Sequence, residues 1–417
     1  MKYLITASIL CLPLLLQAQS TTTLEQCYQA AEANFPLNGQ SDILQEITDN
    51  KILNINSIWQ PKVYLNAQAT YQSDVTSLPI SFPGIEVPEL SKDQYRTTLD
   101  VSQMLYDGGQ SAHQKAVALQ MLAVEEQKLA VDRFKVREKV NQAYMAVLMA
   151  GARLELLSGT MEEMRSYLTL TEAGRQFGVA SDMQVLELRA EQLRLDQQYT
   201  EVMHMRSAAI DVLNVLTGLQ LNDRTSFDTP AVNITSTSTT RPELELFSRQ
   251  KGLYDIQRSF AESISQPTLS LFAQGGYGRP GLNMLLDSFE FYYIGGIKLQ
   301  YPLWTGNTAR RDAAIYAGNA SVTDLQQLYF NQSINVQYAQ YEQDIKKYSE
   351  QIVQDDSIVS LCEQLFQGAT VQFEQGVIST REVLGYLHDR DEARVTRQIH
   401  TLQLLATKVN YLTTLGQ

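Results

Sequence analysis

Cysteine is scarce: the 417 residues hold three, Cys11, Cys27 and Cys362. Cys11 lies inside an apolar amino-terminal stretch and follows Leu10, where lipid attachment needs a small residue. Cys27 and Cys362 fall at different heights of the layout reached below, roughly 30 Å apart at a helical rise of about 1.5 Å per residue, too far for a bridge. Both read as buried small apolar residues. Long apolar runs are missing too. The stretch Leu4 to Leu16, after Met1-Lys2 and before Gln17-Ala18-Gln19-Ser20, reads as a secretory signal over residues 1–18. It is too short to cross a bilayer as a helix, and no second stretch comes closer. A membrane role for this chain therefore requires a β-barrel.

Chemistry-bearing patterns are equally sparse. The four histidines, His113, His204, His388 and His400, show no metal-ligand spacing. Gly275-Gly276 and Gly278 stand in a strand and loop pattern with no helix after them, which is the wrong context for holding phosphate. The sequence thus predicts no catalytic residue, metal or cofactor. Formal net charge is −13, and loss of Lys2 with the signal makes it more negative. That balance argues against a nucleic-acid surface and favours cationic ligands or plain solubility.

Proline is absent from two long stretches. All eleven prolines lie at or before Pro88 or between Pro230 and Pro302. The spacing predicts helices over about 110–176 and 308–374, each about 100 Å long at the usual rise. In the first, Leu122, Leu129, Val136, Ala143, Ala150 and Leu157 recur every seven residues, and Val140, Val147 and Leu154 add a second column. This is a coiled-coil stripe with small residues that permit close approach. Each run meets a turn, Phe177-Gly178-Val179-Ala180-Ser181 or Gln375-Gly376-Val377-Ile378-Ser379. Glycine supplies the left-handed stop and serine the next N-cap, so returning helices are predicted over about 182–216 and 380–415.

Strand patterns precede each long helix. Val63, Leu65, Ala67, Ala69 and Tyr71 alternate with Lys62, Tyr64, Asn66, Gln68 and Thr70, and a second run follows a proline-containing loop. Strands are expected at about 61–71, 95–106, 267–277 and 291–303. The strand-to-helix junction occurs twice: Leu105, Tyr106 and Gly108 correspond to Leu303, Trp304 and Gly306 at one offset of 198 residues. Two repeats, 19–218 and 242–417, flank a polar linker at 219–241. Aromatics gather at the strand ends, Tyr71, Tyr277, Tyr292 and Tyr293 at one and Tyr106 and Trp304 at the other, as in the two girdles of an outer-membrane wall.

Four strands cannot close a barrel, and an open edge in lipid leaves backbone groups unpaired. Several chains must share one, and three would supply twelve strands, an even number in the known range. The fold class expected is mixed α and β: a duplicated unit of two strands, a long helix and a helical hairpin, giving a trimeric barrel continued by a long α-helical coiled-coil barrel. On that layout Asp100 and Lys298 face the lumen.

The opening Thr23-Leu24 with Ala30 and Asn34-Phe35-Pro36, the junction Leu105 to Gly109, the turn Phe177-Gly178-Val179 with Ser181 and Val185-Leu186, and the close Asn214 to Gly218 resemble the TolC family of outer-membrane efflux proteins. The resemblance covers almost the whole mature chain and rests on the order and duplication of these motifs. It implies a homotrimeric channel-tunnel in the outer-membrane lipid with its helical part in the periplasm. Its implied partners are a periplasmic adaptor (membrane fusion) protein and an inner-membrane pump of the RND or ABC type. It implies adaptor-contact tips at Phe177, Gly178, Val179, Gln375, Gly376 and Val377, with Phe177 and Gln375 departing from the family's valine. It implies an entrance constriction at Gln184, Phe373, Ile378 and Glu382. There Glu382 holds the first position of the family's acidic pair, Gly385 stands at the second, and the usual latch residues are replaced. The alternative reading is a soluble periplasmic coiled-coil adaptor or scaffold, which leaves four amphipathic strands unexplained.

Overall fold

A computed structural model describes residues 21–76, 90–234 and 238–417. The expected signal at 1–18 and the prolines of the first inter-strand loop lie outside the described residues. Twelve elements follow in order: α1 (Leu24–Ala33), α2 (Gln40–Asn56) with a short 3₁₀ turn (Ser57–Trp59), β1 (Lys62–Tyr71), β2 (Asp93–Tyr106), α3 (Gln110–Gln176) and α4 (Asp182–Thr217). Then come α5 (Pro242–Ser263), β3 (Thr268–Arg279), β4 (Glu290–Gln300), α6 (Thr308–Glu374) and α7 (Thr380–Leu415). The chain packs as two units. One gathers the segments up to Asn38, Val131–Pro242 and Asn331–Gln417; the other holds Gly39–Ala130 and Glu243–Phe330.

In the second unit the strands form one antiparallel sheet in the order β1-β2-β3-β4, so β1 and β4 are its edges. Val63 pairs with Val101, Leu65 with Leu99, Val101 with Ala273 and Leu271 with Ile297. Paired residues share a face, so these contacts collect the odd-numbered apolar positions of all four strands on one side. The even-numbered side holds Lys62, Asn66, Thr98, Asp100, Gln274 and Lys298. A register irregularity between Met104 and Tyr106 shifts the β2 to β3 pairing beside the junction, where Tyr106 pairs with Leu269.

At that junction Asp107 accepts from the backbone N–H groups of Gly109 at 2.9 Å and Ser111 at 2.7 Å, supplying the first turn of α3 with two of its missing acceptors. Gly108 has φ +70, and a Cβ there would meet Gln266 Cβ at 2.7 Å, so both backbone and space demand glycine. Helix α5 stands where the sequence pattern marks no element. It is held by the Arg249 guanidinium on the Ala123 carbonyl at 3.2 Å and by Lys251 on Asp324 at 2.8 Å.

The first unit has two apolar cores. Leu24, Cys27 and Ala31 of α1 pack on Val140, Ala143, Tyr144 and Val147 of α3, with Leu213 of α4 and Val409 of α7. A capping box between Thr23 and Gln26 starts α1 and so aims its apolar face. The second core joins Leu157 and Met164 of α3, Leu188 and Leu195 of α4, Phe366 of α6 and Leu387 of α7. Of the expected α3 columns, Leu122, Leu129, Val140, Ala143, Val147, Ala150 and Leu157 are buried, and Val136 and Leu154 are half-buried.

Two expectations need correction. Cys27 is buried but Cys362 is only half-buried, although it stands at heptad spacing between buried Asp355 and Ala369 of α6. Residues 219–234 of the expected polar linker are docked. Leu221, Phe227 and Val232 pack against the first core, and Asn214 holds Leu221 through both its N–H and its carbonyl. The hydroxyl of buried Tyr144 reaches the carbonyls of Thr22 at 2.8 Å and Asp228 at 2.7 Å. Three half-buried apolar side chains fasten the strap, each contributing less than the roughly 1.5–3 kcal/mol of a large side chain fully buried.

Candidate functional site

Two hairpin tips of one construction lie in the first unit. After α3, the Gly178 N–H donates to the Arg175 carbonyl at 3.0 Å and Val179 N–H to Gly174 at 2.8 Å. After α6, Gly376 donates to Phe373 at 2.9 Å and Val377 to Gln372 at 2.8 Å. Both glycines are left-handed, at φ +77 and +71, which lets the last helical carbonyls find donors while the chain reverses. Ser181 and Ser379 then cap the returning helices. The turn leaves its apolar side chains in solvent: Phe177 is 84% exposed, Val179 83% and Val377 68%. Gln375 and the two glycines are exposed beside them. Three large apolar groups at two turn apices are a feature that a free surface does not need.

The four residues expected to narrow an entrance divide into two kinds. Gln184 and Glu382 each close a capping box. The Gln184 side-chain oxygen accepts from the Ser181 N–H at 2.8 Å, and the Glu382 carboxylate accepts from the Ser379 N–H at 2.7 Å and its hydroxyl at 2.9 Å. Those bonds from Ser379 hold the Glu382 carboxyl below the usual glutamate range. Phe373 and Ile378 instead pack on the second core, and Phe373 meets Tyr167 edge-on with ring centres 6.3 Å apart. All four therefore have local partners.

Sequence reasoning missed a charged cluster above the tips. Arg390 of α7 is 1% exposed. Its guanidinium donates to Glu163 of α3 at 2.7 Å and to Asp391 at 2.7 and 3.0 Å, and it lies over the Phe366 ring of α6 at 4.2 Å. The other Asp391 oxygen accepts from Thr160 of α3 at 2.7 Å. A buried cation is tolerated only with such partners. The sequence does hold a signal: Val383, Leu387 and Arg390 follow the heptad spacing of the buried column, so an arginine stands where an apolar residue is due. On α4, Glu191 interrupts the buried column in the same way and lies 3.5 Å from His388.

In the second unit Asp100 and Lys298 occupy the same face of the sheet, because Asp100 pairs with Tyr64 and Gln274, and Lys298 with Ser270, all at even positions. They do not touch. Asp100 is bound by Asn66 at 2.5 Å, Thr98 at 3.0 Å and Gln274 at 2.5 Å. The opposite face is apolar and uncovered: Leu65 is 74% exposed, Ile297 65% and Phe291 84%. Among the described residues no group of His, Cys, Asp and Glu could hold a metal ion, and no helix is long and apolar enough to cross a membrane.

Among the described residues, one antiparallel sheet thus bears a bare apolar face, and β2 and β4 are each followed by a 67-residue helix. The family model described as outer membrane efflux protein matches residues 54–219. Through that segment the chain is similar to the outer membrane efflux protein family. The family is one of transport and not of enzymes. No curated protein matches the chain significantly. Solved structures extend the likeness over both repeats. The outer membrane protein VceC of Vibrio cholerae aligns at a TM-score of 0.67 and 17% identity, covering 94% of this chain and 96% of that one. The CmeC outer membrane channel of Campylobacter jejuni gives 0.65 and 15%, covering 94% and 85%. The open state of the MtrE outer membrane channel of Neisseria gonorrhoeae gives 0.66 and 13%, covering 94% and 88%. At such identities the likeness establishes the fold: four antiparallel strands and long helices arranged as in those channels.

Proposed function

We propose that this chain is the outer-membrane duct of a tripartite export system, passing substrates from a periplasmic adaptor and an inner-membrane pump of the RND or ABC type to the exterior. One observation carries the reading: among the described residues the sheet has an uncovered apolar face and two unpaired edges. Bare strand edges invite pairing with another chain, and an apolar face of this width needs lipid. Edge β1 is preceded by α2, whose Ile43, Ile47 and Leu53 are exposed, and edge β4 is followed by α6, whose Ile315, Val322, Leu325 and Tyr329 are exposed. Both strand edges thus continue into apolar helix faces, which suits head-to-tail contact between copies closing as a ring. Three copies make a twelve-stranded barrel, with the helices reaching into the periplasm. A soluble adaptor would keep the helices but would have no use for the bare sheet face.

The exposed Phe177, Val179 and Val377, with Gln375, Gly178 and Gly376, form the tips at which an adaptor docks. Gln184, Phe373, Ile378 and Glu382 lie beside them and define the entrance. The work is done by geometry, and no residue is assigned a catalytic role. Purification tests the assembly. The full chain should require detergent, run as a heat-modifiable trimer and give discrete conductance steps in planar bilayers. A monomer soluble without detergent sinks the proposal. For the tips, Phe177→Ser with Val179→Ser should leave trimer and conductance intact while abolishing export in cells; unchanged export would remove them from the adaptor contact.

A further inference from the structure

The polar face of the sheet carries its charges in levels. Its charged residues, among those described, are Lys62, Arg96, Asp100, Glu290 and Lys298. Arg96 and Glu290 both pair with Gly278, so at the loop side a cation and an anion share one row. Midway stands Asp100 alone, its oxygens engaged by Asn66, Thr98 and Gln274. Toward the helices come Lys62, level with Ser102, and Lys298, level with Ser270 and Met104. These last rows contain no acid. Both lysines are exposed, and neither has an ion pair among the described residues. They also sit on the two edge strands, β1 and β4.

We propose that Lys62 and Lys298 form a cationic collar at the helix-side end of the duct lumen, which draws anionic solutes through and retards cations. The proposal rests on the barrel reading above. Where β4 of one copy meets β1 of the next, Lys298 and the next copy's Lys62 flank the seam, so a three-copy barrel carries six lysines at that level. The three Asp100 carboxylates, farther up, offset only part of this charge. The field of such a ring reaches into the passage at low salt and not at high salt, because the screening length is about 10 Å at 0.1 M and about 3 Å at 1 M. Charged rings at constrictions act on ion flow in this way in other channels. The collar makes anionic or anion-bearing molecules the favoured cargo class at this point of the path.

Reversal potentials of the full chain in planar bilayers under a KCl gradient near ~0.1 M provide the test. The Lys62→Gln/Lys298→Gln variant should raise the cation-to-anion permeability ratio by about twofold or more, an effect that shrinks near ~1 M salt. Lys62→Arg/Lys298→Arg, which keeps the charge, should match the parent. A conducting glutamine variant with an unchanged ratio at low salt overturns the collar and leaves the barrel standing. Absence of conductance in the parent chain overturns the barrel reading, and the collar with it.

Discussion

Replacing Arg390 by methionine removes a cation while retaining most of the apolar stem, so the size of the effect can be worked from its partners. The bond to Glu163 contributes little, because that carboxylate is 41% exposed and water replaces the guanidinium there. Asp391 is 21% exposed and loses two charged hydrogen bonds, keeping only Thr160, for roughly 1.5–2 kcal/mol. The stacking on Phe366 contributes about 1 kcal/mol more. The sum is about 2–3 kcal/mol, and it falls on the part of α7 between Val383 and Arg397. Membrane assemblies unfold irreversibly, so amide hydrogen exchange is the appropriate assay. Exchange in that segment should accelerate roughly 30- to 140-fold if opening is local. Arg397→Gln serves as the control. Its pair with Asp356 is 45% and 54% exposed and should be worth under about 1 kcal/mol. If Arg390→Met leaves exchange within about threefold of the parent, or slows it, the cluster is not what holds α7 and the assignment fails.

Further outcomes follow from particular contacts. Gly306 has φ +64 and open space within 4 Å of where an added methyl would sit, whereas Gly108 at +70 is crowded by Gln266, so Gly306→Ala should cost about 1 kcal/mol and Gly108→Ala clearly more, read as the difference in thermal midpoint. The tips should respond unequally to acid. Glu382 has its folded pKa depressed, so its contribution is complete above the ordinary value of 4.5 and is lost as pH falls through the lowered one, while Gln184 at the matching position does not titrate. Protection of the Ser379 amide should drop in acid while that of Ser181 holds, and Glu382→Gln should remove the difference. Burial pushes the Cys27 thiol up to about 11, so iodoacetamide near neutral pH should modify Cys362 and spare Cys27; equal labelling in the folded chain would contradict the packing of α1.

Local chemistry sets much of this architecture before any packing is considered. Heptad periodicity without proline favours an unbroken helix, the Gly-x-x-Ser spacing at Gly178 and Gly376 marks its stop and the next start, and alternation in β1 and β3 assigns each residue a face. Those signals are short-range, so one sequence carries them, and the tips and the faces of Asp100 and Lys298 are legible from it. What lies hidden depends on groups distant in sequence. The docking of 219–234 needs the Tyr144 hydroxyl and the surface of the first core. Arg390 is explained by Glu163, 227 residues away. The capping of Gln184 and Glu382 is readable from the Ser-x-x-Gln and Ser-x-x-Glu spacings, but Phe373 and Ile378 reveal their packing only once α3 and α6 meet. Periodicity determined which surfaces each element offers; only the tertiary structure decided which of them found a partner, because burial and ion pairing depend on distances that the order of residues does not contain.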